Sequence, residues 1–262
     1  MKILFLGTGA ADWPRETAQL GDARGLDRRC TSVLIDDEIL LDPNPDVPGA
    51  LEAFGADPGR IRYVLISHSH GDHYSRKTLA WLADMHPIDV YGDGGYLWKL
   101  PQHANLTFHP LERRKPVEVP FGKLTAVLST HDVEDTEEFC LHYILERDGK
   151  TVFYGCDGAW FSGGTWYEME LHYFDCAILD ATFGDDAFKY RIPSRHIWFY
   201  HNSTSMLKTI RDAFFDKKIA DEKTLFVADH LARAYYPDIE TANAVFEPMD
   251  YTAAYDGRVI EL

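Results

Sequence analysis

The sequence predicts an α/β fold in which apolar strands alternate with amphipathic helices and deliver polar residues to one edge of a sheet. Three observations carry that prediction. Short apolar runs of strand length recur along the whole chain, several of them followed by a segment of helical periodicity. Runs end at His68, His131, Asp157, Asp180 and His230, residues able to bind a metal or move a proton, and strand ends on one edge are where layered α/β folds gather their sites. No repeat, low-complexity tract or interdomain linker interrupts the 262 residues, a length that one core can serve, so residues 1–262 read as a single domain.

In order, Ile3–Leu6 is an apolar run too short for a signal peptide and is stopped by Gly7-Thr8-Gly9, which makes it a strand and a glycine turn. Ser32–Asp36 and Glu38–Asp42 read as strands around a tight Asp36-Asp37 connection. Between them Ala10–Arg29, rich in Asp, Arg and Gly, has neither period; at that length it is either a functional loop such as a lid or a variable excursion. The proline-rich turn Pro43–Pro48 leads to a short helix near Gly49–Phe54, and Ile61–Ile66 reads as a buried strand. In the helix expected over Ser75–Met85, Leu79, Leu82 and Ala83 share one stripe and Ser75 can cap the first turn.

Farther on come a strand at Ile88–Tyr91, a helix around Gly94–Leu100, and strands near Asn105–Phe108, Val117–Val119 and Lys123–Ser129, the last running into Thr130-His131. Phe139–Glu146 and Thr151–Tyr154 suit a hairpin around Arg147-Asp148-Gly149-Lys150, its second arm ending at Gly155-Cys156-Asp157. Trp160–Tyr173 is glycine-rich and then helical, Ala177–Leu179 is a buried strand ending at Asp180, and Phe183–Arg195 is polar without a defined element. Asn202 or Ser203 caps a helix over Ser205–Phe215, Thr224–Val227 is a strand leading to Asp229-His230, and a helix near Ile239–Phe246 and a strand at Val259–Glu261 close the sequence.

Composition narrows the function classes. With 42 Asp and Glu against 26 Lys and Arg the formal net charge is −16, which argues against a surface that wraps a long polyanion, because nucleic-acid affinity comes largely from cationic side chains. Small substrates are favoured over nucleic acids. No run approaches the ~18 apolar residues of a membrane span. Cys30, Cys140, Cys156 and Cys176 are widely spaced, without a C-x-x-C pair, which fits a reducing cytoplasm. A homodimer is an expectation that no motif carries.

The densest signal is Ser67–Tyr74, SHSHGDHY, where His68, His70, Asp72 and His73 place four ligand-type side chains within six positions. An ordinary fold has no structural use for that density, so the stretch points to metal. His86, His103, His109, His142, His172 and His196 lack ligand spacing and read as surface or satisfied core residues. Arg24, Arg28, Arg29 and Arg195 could hold a phosphate, although surface ion pairing is the plainer reading of each. Trp160, Phe161, Trp166 and Tyr167 could line a pocket but suit core packing better, and Cys156 suits a packed position.

Taken with His131, Asp157 in FYGCDG and His230 in VADHLAR, SHSHGDHY resembles the metallo-β-lactamase superfamily over nearly the whole chain. The resemblance implies a four-layer αββα sandwich with a dinuclear metal site at one edge. It implies that His68, His70 and His131 hold one divalent ion, that Asp72, His73 and His230 hold the second, and that Asp157 bridges; zinc, manganese and iron all suit such ligands. Within the superfamily, LGTGAADWP, ILDATF and HNST are similar to motifs of the branch of RNase Z and the phosphoribosyl 1,2-cyclic phosphate phosphodiesterase. That branch implies His201 as general acid with Asp180 orienting it, and a metal-bridging hydroxide attacking a small phosphate ester, cyclic esters included, with Asp72 among the catalytic groups. The sequence departs from RNase Z in lacking a Gly-Pro-rich arm, and from the phosphodiesterase in lacking a cysteine-rich insertion. A lactonase or other carboxylic-ester hydrolase, an RNase Z-like nuclease and a non-catalytic metal-binding scaffold are the alternative readings.

Overall fold

The computed structural model describes residues 1–14, 27–134, 136–185 and 200–262. Arg24, Arg195, His196 and most of the Ala10–Arg29 and Phe183–Arg195 segments lie outside the described residues. Two seven-stranded sheets face each other. The first is built from β1 (Lys2–Gly7), β2 (Ser32–Ile35), β3 (Ile39–Leu41), β4 (Tyr63–Leu65), β5 (Ile88–Gly92) and β6 (Leu106–Pro110), with the C-terminal strand β14 (Val259–Glu261) beside β1. In the second, the antiparallel run β7 (Val117–Val119), β8 (Gly122–Leu128), β9 (Leu141–Arg147) and β10 (Lys150–Gly155) continues into parallel β11 (Cys176–Asp180), β12 (Leu225–Asp229) and β13 (Tyr251–Ala253).

Strand periodicity explains the layering. In β1, Ile3 and Phe5 enter the core between the sheets, whereas Leu4 and Leu6 face outward into a second cluster with Val47, Leu51, Leu79 and Leu82. Those last residues come from helices α1 (Val47–Phe54) and α2 (Arg76–Met85). In β11, Cys176 and Ile178 likewise point between the sheets, and Ala177 and Leu179 point out toward Leu207, Ile210 and Phe246. The outer layer there comprises α3 (Gly163–Met169), α4 (Thr204–Asp216) and α5 (Ile239–Phe246). Strands buried on both faces are continuously apolar, as parallel sheets covered by helices require. The arrangement is the expected αββα sandwich.

Local signals agree in detail. The Ser75 side chain accepts from the Thr78 backbone N–H and the Ser203 side chain accepts from that of Met206, which caps α2 and α4. The helix expected around Gly94–Leu100 is a 3₁₀ helix over Gly94–Lys99. Strand β13 was not foreseen; with only three residues it offers no period to read. Arg28 and Arg29 are not on the surface: each is 1% exposed. Arg28 Nη1 donates to Thr8 Oγ1 (2.6 Å) and the Ala254 carbonyl (2.7 Å), and Arg29 faces the Asp256 carboxylate at 3.7 Å.

Both sheets direct the C-terminal ends of parallel strands to the same edge. The loop after β4 carries His68–His73, β8 runs into His131, β10 into Asp157, β11 ends on Asp180 and β12 runs into His230. His230 has φ 56°, a left-handed backbone that turns the chain sharply at the strand end.

Candidate metal centre

The expected ligands meet at that edge in two groups: His68, His70 and His131, and Asp72, His73, Asp157 and His230. His70 Nδ1 lies 3.0 Å from both His68 Nε2 and His131 Nε2. Asp157 stands between the groups, its Oδ2 3.7 Å from His68 Nε2, 3.8 Å from His131 Nε2 and 3.3 Å from His73 Nε2. Its Oδ1 faces His230 Nε2 at 2.9 Å, and Asp72 Oδ2 lies 3.7 Å from the same nitrogen.

The backs of the imidazoles are tied down, which fixes what faces inward. His73 Nδ1 donates to Asp42 Oδ2 at 2.9 Å and His131 Nδ1 to the Tyr200 carbonyl at 3.2 Å. Ser67 Oγ gives its proton to Asp42 Oδ2 (2.9 Å) and so accepts from His68 Nδ1 (2.9 Å). By the same logic Thr182 Oγ1 donates to Asp180 Oδ1 (2.9 Å) and accepts from His230 Nδ1 (2.8 Å). In these four residues Nε2 is therefore the nitrogen directed into the cluster, the orientation a metal-binding imidazole needs. Three of the converging atoms, His73 Nε2, His230 Nε2 and Asp157 Oδ1, are buried without a hydrogen bond; the last two are close but not aligned for one. Buried polar atoms left unpaired are costly, and convergent imidazole nitrogens and a carboxylate oxygen of this kind suit a divalent cation.

Electrostatics points the same way. Burial, reinforced by the His73 and His131 imidazoles, holds His68 well below the ordinary range, and burial brings His131 down to about 4. In the second group burial also opposes charge, but the Asp157 and Asp72 carboxylates override it and push His230 up to about 10. Asp72 moves the other way: burial is outweighed by His73 and His230, which keep the carboxylate ionised. The same carboxylates, Asp157 before Asp72, outweigh burial and hold His73 well above the ordinary range, so in the metal-free protein His73 and His230 carry the positive charge that a divalent ion would supply in their place.

At the rim, Asp180 and His201 are joined by a 2.6 Å contact from Nδ1 to Oδ2. Asp180 also accepts from the backbone N–H groups of Gly158, Thr182 and Asn202 and from Thr182 Oγ1, so its orientation is fully specified. The His201 ring stacks on His230 at 5.4 Å, 9° from parallel.

Several residues here went unnoticed in the sequence. Asp42, fully buried, accepts from Ser67 N–H, Ser67 Oγ, His73 Nδ1 and Tyr154 OH. Glu138 accepts from Ser69 N–H at 2.8 Å and Ser69 Oγ at 2.7 Å, clamping the residue between two of the histidines, and Lys99 bonds both Ser69 Oγ and Glu138. His142 is a core residue, as expected, but its partner is the Asp157 carbonyl at 3.1 Å. Trp160 and Tyr167 are exposed and Phe161 and Trp166 pack on the outer core, away from the cluster.

Residues 37–218 match the family model described as beta-lactamase superfamily domain. No curated protein matches the sequence. Among solved structures, Zn(2+)-bound PqqB from Methylobacterium extorquens is similar at 17% identity, with 100% of each chain covered and a TM-score of 0.74. The metallo-beta-lactamase fold protein YhfI from Bacillus subtilis is 16% identical over 99% of each chain, with a TM-score of 0.72. Human tRNase Z, short form, is 19% identical over 100% of this chain and 99% of its own, with a TM-score of 0.70. No helix among the described residues is long and apolar enough to cross a membrane. The sandwich, the ligand-bearing edge and the family match together show that the chain belongs to the metallo-β-lactamase superfamily.

Proposed function

We propose that the chain is a metal-dependent phosphodiesterase acting on a small phosphate ester. The observation that carries this reading is the Asp180–His201 pair beside the ligand cluster, a proton donor held at 2.6 Å by an oriented carboxylate. In this reading His68, His70 and His131 hold one divalent ion, Asp72, His73 and His230 hold the other, and Asp157 is shared. When bound, such a pair supplies Lewis-acid charge to the phosphoryl oxygens and an acidified water as nucleophile.

The chain's own residues do the rest. Asp42, Ser67, Thr182 and the Tyr200 carbonyl orient the imidazoles. Asp180 accepts from His201 Nδ1, so His201 in its imidazolium form would give its Nε2 proton to the departing oxygen and remain as the neutral Nδ1–H tautomer, with the carboxylate stabilising the charged form beforehand. An alkoxide leaves poorly without that proton, and general acid catalysis contributes about 10²–10⁴-fold. A cavity of about 540 Å³ beside the cluster, lined by His70, Asp72, His131 and His201, suits a small molecule.

The test is turnover by zinc- or manganese-loaded protein of bis(p-nitrophenyl) phosphate and of a lactone panel. Phosphodiester hydrolysis abolished by a chelator is the expected result. Lactone hydrolysis without phosphodiester hydrolysis would overturn the reading, and neither activity together with less than about one metal per chain would favour a scaffold.

A further inference from the structure

Beside the ligands the cavity is lined by three loops whose contribution is apolar apart from Asp12. Ala10 and Ala11 follow β1, Phe183 follows β11, and Ala232, Ala234 and Tyr235 follow β12. Backbone bonds stitch the first and third loops together: Ala10 N–H donates to the Leu231 carbonyl at 3.2 Å and Leu231 N–H to the Thr8 carbonyl at 2.9 Å. Asp12 adds two more, accepting from the backbone N–H groups of Arg233 (2.9 Å) and Ala234 (3.1 Å).

The two rings of this lining are held as firmly. Phe183 N–H donates to the Asn202 carbonyl at 3.0 Å, and the Phe183 carbonyl accepts from Thr204 N–H at 3.0 Å, so the backbone of Phe183 is locked to the segment that carries His201. The Phe183 ring meets His201 edge-on at 5.5 Å and Tyr235 edge-on at 5.8 Å. Tyr235 packs close to Gly184, where a Cβ would sit 3.0 Å from Cδ1 of the Tyr235 ring. A rigid aromatic corner therefore adjoins the one imidazole positioned to protonate a leaving group.

We propose that Phe183 and Tyr235, with the alanines around them, form the leaving-group subsite, and that it takes a flat, uncharged ring. The assignment rests on the phosphodiesterase reading, because His201 as general acid defines the leaving-group side. Edge-to-face packing on two fixed rings favours an aromatic substituent over a methyl group by about tenfold in affinity.

The experiment is calorimetric binding of phenylphosphonate and of methylphosphonate to the metal-loaded protein, neither of which requires turnover. Phenylphosphonate is expected to bind about tenfold more tightly, and Phe183→Ala to bring that ratio close to one. Ala234→Trp, at an exposed position where folding is not at stake, fills the same space and is expected to remove the preference as well. Equal affinities in the unaltered protein, or a ratio that neither substitution changes, would overturn the subsite even with phosphodiester turnover intact. A phenyl preference lost in both variants would sustain the subsite even if only lactones were hydrolysed, in which case the phosphodiesterase reading alone would fall.

Discussion

Replacing Asp42 by Asn tests whether the buried carboxylate sets the protonation of a proposed ligand. Asp42 Oδ1 accepts from Ser67 N–H at 2.7 Å, while Oδ2 accepts from Ser67 Oγ, Tyr154 OH and His73 Nδ1 at 2.9, 2.8 and 2.9 Å. With Asn, the backbone bond to Oδ1 survives, but an NH₂ group takes the place of Oδ2. The two hydroxyls can rotate and accept from it; a His73 Nδ1–H cannot. His73 is then driven to the tautomer that carries its proton on Nε2, aimed at Asp157 Oδ2 3.3 Å away, where a lone pair is needed. A lost hydrogen bond to a charged acceptor costs about 1.5–3 kcal/mol. Loss of an outer-shell partner lowers metal affinity about 10–100-fold, or about 1.4–2.7 kcal/mol. Competition against a chelator should show that weakening, and thermal unfolding of the metal-free variant should fall by several degrees. Wild-type metal affinity in Asp42→Asn would refute the argument that this carboxylate fixes the His73 tautomer.

Further predictions address the other groups. His201→Ala should lower kcat by about 10²–10⁴-fold while metal content, measured by elemental analysis, stays at the wild-type level. Glu138→Gln keeps the acceptor for Ser69 N–H but leaves Lys99 without its anion, so it should loosen the His68–His70 turn and weaken metal binding several-fold or more in the same chelator competition. In the metal-free protein, burial depresses His142 to about 4 from an ordinary 6.5. Between those values the unfolded chain binds a proton that the native state excludes. Stability is therefore complete above about pH 6.5 and lost as pH falls toward 4, by about 3 kcal/mol for this residue. Urea unfolding of the metal-free form at pH 7 and pH 4.5 checks the slope, which His142→Gln should reduce.

Much of this was readable from the sequence because it lay in local pattern. SHSHGDHY concentrates four ligand-type residues within one strand-to-helix connection, and Asp157 and His230 each follow an apolar strand, so strand ends and candidate ligands could be located together. Ser75 and Ser203 cap as their positions suggested. What escaped notice depends on distant contacts. Asp42 sits before a proline-rich turn, where an Asp ordinarily serves the turn, and nothing nearby announces Ser67, His73 and Tyr154 as its partners. Glu138 belongs to an acidic run, and its partner Ser69 is 69 positions away. Arg28 and Arg29 resemble surface cations in composition, yet the fold buries them against Thr8 and Asp256. Phe183 closes the ILDATF motif but Tyr235 belongs to none, and only the folded chain brings Phe183 against both Tyr235 and His201.

The most direct test of the central claim is the metal-to-protein ratio after loading with zinc or manganese and removal of excess ion, in the wild type and in Asp157→Ala. Two ions per chain in the wild type, with a clear loss in the variant whose shared carboxylate is gone, is the predicted result. A wild-type ratio of one or less, or an unchanged ratio of two in Asp157→Ala, would contradict the account.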